Sequence, residues 1–197
     1  MPESFTTAEI GIITDDLRVF LGTTNGPIDK LDYFTSQAKD LQQNGFLQLT
    51  YAFVQVNIIP EVETAVIRQL ETAEQKQVNV QLHLSPASIM INIDRLFFQQ
   101  IFFRLLDRLL SEAENGSVIS VYVTGNDGKC IIELINRPSQ LTATDDYFKR
   151  YRITNTLPVS TDNQVLPLYK RLVEDMGGEL MYDFENEKYF RFRFELL

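Results

Sequence analysis

One cysteine and one histidine are all that the chain offers to soft-metal or thiol chemistry. A lone Cys130 builds neither a disulfide framework nor a zinc site. It sits in the apolar-alternating stretch from Lys129 to Ile135 and is expected to fill core. The lone His83 falls in Val78-Asn79-Val80-Gln81-Leu82-His83-Leu84, where strict alternation puts it on the polar face of a strand with Asn79 and Gln81. A histidine on a strand is not expected to accept a phosphoryl group. Positive charge is also scarce: 18 Lys and Arg against 27 Asp and Glu leave a formal charge of -9. Phosphate backbones would be repelled at long range, which excludes nucleic acid as a partner. No apolar run reaches the roughly 18 to 20 residues of a bilayer span, and no basic-then-apolar leader opens the chain. A cytoplasmic protein with no membrane partner is expected. There is no internal repeat and no low-complexity tract.

What is present is enough apolar residue, 44% of 197, for one good core and a small appended element. Residues 1–45 have helical spacing around a turn cluster at Gly22-Thr23-Thr24-Asn25-Gly26-Pro27. Thr6 with Glu9 makes a capping box, after which Ile10, Ile13, Leu17 and Phe20 share a stripe. On the second arm Ile28, Leu31, Phe34, Ala38 and Leu41 do the same until Asn44-Gly45 stops it. This helical hairpin is too short to be stable alone and needs the main domain or a second copy of the chain. A homodimer through the hairpin is the expected outcome.

Residues 46–197 read as the main domain. Phe53 to Val56 alternates as a strand, a helix starts near Pro60 and runs to about Gln75, and a strand follows from Val78 to Leu84. A long helix covers about Asp94 to Ala113. Strands Val118 to Thr124 and Cys130 to Ile135 are joined by Gly125-Asn126-Asp127-Gly128, a strong hairpin signal. Residues 136–164 have little periodicity and read as a long functional loop. A helix from about Leu166 to Met176 stops at Gly177-Gly178, and strands Glu179 to Asp183 and Tyr189 to Leu196 close the chain. Helices interleaved with mostly antiparallel strands imply an α/β two-layer sandwich, a mixed, largely antiparallel sheet with helices on one face.

Several segments in this order resemble the ATPase domain of sensor histidine kinases, in the bacterial-signalling branch of the family that also contains gyrase and mismatch-repair ATPases (GHKL). They are Phe53-Val54-Gln55-Val56-Asn57-Ile58, Glu74-Gln75-Lys76-Gln77-Val78, and the helix from Asp94 through Gln100-Ile101 to Leu105-Leu106. The stretch Lys170 to Leu180 with its double glycine and the strand Tyr189-Phe190-Arg191-Phe192 complete the match. In that family the long helix reads Asn-Leu-Leu-x-Asn, and its second asparagine holds the magnesium that bridges the ATP phosphates. Here the same frame gives Arg104-Leu105-Leu106-Asp107-Arg108. Arginine has five donors and no acceptor, so it coordinates no cation. The family's adenine-reading aspartate and the glycine two residues on correspond to Asn136 and Pro138, and proline removes an amide and fixes φ. The phosphate-cradling Gly-x-Gly corresponds to Asn163-Gln164-Val165, and no glycine lies between Gly128 and Gly177. The resemblance therefore implies a pocket that has lost ATP and magnesium, and a chain that is not an enzyme.

In histidine kinases a helical hairpin precedes this domain and carries a phosphorylated histidine in a His-Asp-Leu-Arg-x-Pro-Leu frame. Asp15-Asp16-Leu17-Arg18-Val19-Phe20-Leu21 echoes that frame with Asp15 at the histidine position. The loop segment Asp145 to Tyr151 corresponds to the mobile ATP lid. With nothing to cover, its Tyr147, Phe148 and Tyr151 become expected anchors of a partner surface, alongside Asp15. The expectation is a pseudo-histidine-kinase that binds a receiver domain or a sensor kinase in two-component signalling. The rival is a nucleotide binder in which Arg104 or Arg108 supplies the charge that magnesium would. A third reading makes the chain part of a longer sensor. On helical spacing alone Arg104 and Arg108 lie opposite the stripe Phe98, Ile101, Leu105 and Leu109. They are expected at the surface, paired locally with Asp107 and Glu112 respectively.

Overall fold

In the computed structural model, residues 51–137, 165–183 and 189–196 are described. The hairpin 1–45, Asp15, Pro138, Tyr147, Phe148, Tyr151 and Asn163 lie outside them. The order is β1 (Phe53–Asn57), α1 (Ile58–Gln75), β2 (Asn79–Leu84), β3 (Met90–Asp94), α2 (Arg95–Glu112), β4 (Val118–Asn126), β5 (Lys129–Arg137), α3 (Val165–Asp175), β6 (Glu179–Asp183) and β7 (Tyr189–Glu195). A five-stranded sheet runs β2-β4-β5-β7-β6, parallel only at β2–β4, and β1 pairs with β3 in a separate two-stranded antiparallel sheet. The described helices pack on one face of the larger sheet, as the sequence pattern predicts. No described helix is long and apolar enough to cross a membrane.

Local chemistry sets the boundaries. α1 begins at Ile58, two residues before Pro60, because Asn57 is its N-cap and its side chain accepts from the Ile59 amide at 3.4 Å. Proline is tolerated in that first turn, where its missing N–H has no intrahelical partner anyway. α2 starts after Asp94, whose Oδ1 accepts from the Leu96 and Phe97 amides at 3.0 and 3.1 Å. The other oxygen of Asp94 accepts from the Ala52 amide at 2.7 Å, tying the chain before β1 to the start of α2. At the far end of α2, Lys76 Nζ donates to the Leu110 and Ser111 carbonyls at 3.0 Å each, placing a cation at the negative pole of the helix. The β4–β5 turn places Asp127 and Gly128 at φ of 50° and 73°, the left-handed pair that a two-residue hairpin of matching twist requires.

The core lies between helices and sheet. Phe98 and Phe102 of α2 meet Phe192 of β7 at ring-centroid distances of 5.8 and 6.1 Å, and Phe98 meets Phe194 at 6.1 Å. Cys130 is fully buried among them, and burial pushes its thiol up to about 12, so it stays protonated and inert at neutral pH. At Gly178 an added Cβ would collide with the Phe194 ring, so the second glycine after α3 is needed for close approach.

Two expectations are revised. Between Leu84 and Asp94 the sequence reading placed no strand, yet β3 forms there, because Ile91 and Ile93 bury inward and β1 supplies a remote partner in the register Phe53↔Asp94 to Asn57↔Met90. Residues 136 and 137, read as the start of the long loop, remain in β5, where Asn136 and Arg137 pair with Ile119 and Val118.

Candidate functional site

The described residues that the sequence assigns to the pocket lie on α2, at the end of β5 and at the start of α3. α2 carries its apolar stripe, Phe98, Ile101, Phe102, Leu105 and Leu109, against the sheet, each at most 1% exposed. Gln100, Arg104 and Arg108 recur every four residues and so form one ridge beside that stripe. The expectation of surface arginines is corrected here, because both are half-buried and Gln100 below them is fully buried. The helix is covered on more sides than its amphipathic stripe suggests.

Arg108 Nε donates to Glu112 Oε1 at 3.2 Å, the local pair that i,i+4 spacing predicts. Asp107, assigned by spacing to Arg104, instead accepts from Gln69 Nε2 of α1 at 3.4 Å. This contact spans 38 residues of chain and leaves no local signal in the sequence. The Arg108 guanidinium also lies near Tyr182 of β6. Burial raises the pKa of that phenol, and Arg108 opposes the rise.

Asn136 ends the inner face of β5, with its Oδ1 buried and without a hydrogen-bond partner among the described residues. The same holds for both amide atoms of Gln100. Sequence reasoning quoted Gln100 only as part of the helix frame and missed it as a site residue; its signal is a long polar side chain inside an otherwise apolar helix segment. Val165 is the first residue of α3, so the backbone at that frame position is helical. Of the residues that the sequence assigns to the pocket, Arg104, Arg108, Asn136 and Val165 lie within the described part of the chain, on α2, β5 and α3. Magnesium needs oxygen acceptors, and the two arginines at the frame positions bring donors alone. At those two frame positions the side chains therefore offer the metal no ligand.

His83 is exposed on β2 and stacks on Tyr122 at 4.5 Å, with 12° between the ring planes. It stands on the far side of the sheet from α2 and takes no part in the pocket.

No family model and no curated protein matches the chain. Solved histidine kinases are similar to it in structure. The nucleotide-free catalytic domain of histidine kinase ThkA has 17% identity and a TM-score of 0.56, covering 73% of this chain and 95% of that one. The Acinetobacter baumannii histidine kinase AdeS has 15% identity and a TM-score of 0.56, covering 95% of each chain. A histidine kinase from Burkholderia phymatum has 12% identity and a TM-score of 0.59, covering 96% of this chain and 95% of that one. The chain has the histidine-kinase-type ATPase fold.

Proposed function

We propose that the chain is a non-catalytic histidine-kinase-like module, a cytoplasmic protein-binding or regulatory component of two-component signalling whose partner is a receiver domain or a sensor kinase. One observation carries the reading: the seat of α2 is intact while its frame positions hold Arg104 and Arg108, the latter ion-paired with Glu112. A cation pair where a metal would sit repels that metal and supplies no ligand to it.

Thermal denaturation with millimolar ATP or ADP and magnesium is the test. The melting temperature is expected to stay within error. A ligand at about 100 times its dissociation constant would add roughly 2.7 kcal/mol, so a saturable upward shift overturns the reading.

A second reading has its own support. Buried polar atoms without partners cost free energy, and Gln100 with Asn136 Oδ1 presents such atoms beside two cations. A nucleotide held without metal could donate to the two oxygens from its base amino group and accept from Gln100 Nε2. That reading requires a shift that survives EDTA and disappears in Arg108→Ala; loss of the shift on chelation rejects it.

A further inference from the structure

The five-stranded sheet has two edges, and they are built differently. β6 begins at Glu179 and ends at Asp183, and Arg193 donates to Glu179 at 3.0 Å. Charge on an edge strand discourages pairing with a further chain. β2, at the other edge, reads Asn79-Val80-Gln81-Leu82-His83-Leu84 and holds no acid, no lysine or arginine and no proline. No described strand pairs with its outer side.

The hydrogen bonds to β4 show which groups that side presents. The Asn79 amide donates to the Ser117 carbonyl at 3.0 Å, and the Ser85 amide to the Val123 carbonyl at 2.9 Å. Asn79, Gln81 and His83 therefore bond to β4, and by the two-residue period the N–H and C=O of Val80, Leu82 and Leu84 point out of the sheet edge. Their side chains fall on the helix-covered face, where Val80 and Leu84 pack against the core while Leu82 is 37% exposed. Leu70 and Ile67 of α1 are also exposed. At about 100° per residue, Leu70 stands opposite Glu61, which reaches Arg95 of α2, so it lies on the side of α1 away from α2 and toward β2. Apolar side chains thus accompany the free backbone groups of this edge.

The strand is complementary to itself. A two-fold axis at Leu82 sets that residue opposite its own copy, Val80 opposite the second Leu84, and His83 opposite the second Gln81 on the other face. The pairs made by Val80, Leu82 and Leu84 each exchange two hydrogen bonds. Apolar side chains meet apolar ones, polar meet polar, and no charge faces its like. In a chain of net charge -9, two copies repel one another in general, and an uncharged strip is where they can approach.

We infer that the free edge of β2 pairs with β2 of a second copy, antiparallel and centred on Leu82, joining the two sheets into one with Leu82 and Leu70 beside the seam. The seam lies at the edge away from β6, where Tyr182 is near Arg108, so the inference stands whether or not the pocket binds nucleotide.

Sedimentation of the full chain from micromolar to millimolar concentration tests it, with Leu82→Lys setting two ammonium groups together at the axis. The native chain is expected to self-associate, and Leu82→Lys to raise the dissociation constant at least about tenfold. Circular dichroism checks that the variant is folded. Leu82→Cys reads the register independently: its Cα atoms would stand about 5.5 Å apart across the axis, within disulfide reach, so mild oxidation should give a covalent dimer. His83→Cys, offset from its own copy, should crosslink at least about tenfold more slowly, and buried Cys130 gives no background. A native chain that is monomeric throughout overturns the inference. So does a mass that Leu82→Lys leaves unchanged, which moves self-association to another surface. Crosslinking through His83→Cys in place of Leu82→Cys overturns it as well, because the register is then wrong.

Discussion

Two ridges of α2 flank the same apolar stripe and differ in how their polar groups are matched. On the α1 side the partners come from another element: Arg95 pairs with Glu61 at 2.8 Å, Gln99 donates to the same carboxylate, and Asp107 accepts from Gln69. On the other side Gln100 has an unpartnered amide, and Arg108 is held by Glu112 of its own next turn. Helix-to-helix matching fixes how α2 is seated. On the second ridge the unpartnered group is the Gln100 amide. The seat of α2 therefore rests on burial of the stripe and on the polar matching of the first ridge.

The largest effect should come from the shared stripe. Phe98→Ala removes a fully buried ring that meets Phe102, Phe192 and Phe194, and a loss of about 3–5 kcal/mol is expected in urea denaturation. A loss under about 1.5 kcal/mol would mean that the stripe does not seat the helix.

Next comes the matched ridge. Glu61 is 6% exposed and serves both Arg95 and Gln99, so Glu61→Ala should cost about 2 kcal/mol, in the range for hydrogen bonds to a charged group. Arg95 is largely in water and rehydrates, which keeps the loss below that of stranding a buried charge. If this variant proves neutral, the contrast between the ridges collapses.

How much of this could be read from the residues differs between fold and site. The Gly125-Asn126-Asp127-Gly128 turn and the Gly177-Gly178 stop are short-range signals, and the elements they bound appear within two residues of expectation. β3 escaped because strand pairing with β1 supplies what its five residues lack locally. Within the site, Arg108–Glu112 was legible because helical spacing alone brings the two together. Gln69–Asp107 and Glu61–Arg95 cross between helices, and spacing within α2 cannot announce them. Burial of Gln100 was equally hidden, since a polar residue inside a helix reads as solvated until its neighbours are known.

Gln100 gives the third test, with the opposite sign. Leaving a buried amide without partners costs about 1–3 kcal/mol, whereas an apolar group of similar size is near neutral or better. Gln100→Leu should therefore raise stability by about 1 kcal/mol, at the low end of that range. A loss of similar size would show that the amide is satisfied by bound solvent or ligand, and that the second ridge is matched after all.

Arg108→Ala should have the smallest effect on stability, about 0.3–0.5 kcal/mol for its i,i+4 pair with Glu112. A second readout makes the small effect informative. Burial raises the Tyr182 phenol above its ordinary value of 10.0 and the Arg108 charge holds it back, so removing that charge moves the phenolate titration to higher pH. The sign for stability follows from linkage. The folded state keeps this proton longer than the unfolded chain, so the contribution is fully present below pH 10.0 and is lost as pH rises through the folded value. In Arg108→Ala the folded value rises further while the unfolded value stays at 10.0, so the loss of stability above pH 10.0 should extend to higher pH and grow, along with an upward move of the phenolate absorbance. A titration left in place by the substitution would put the Arg108 charge elsewhere. The cationic ridge would then not face β6, and the contrast between the two sides of α2 would have to be redrawn.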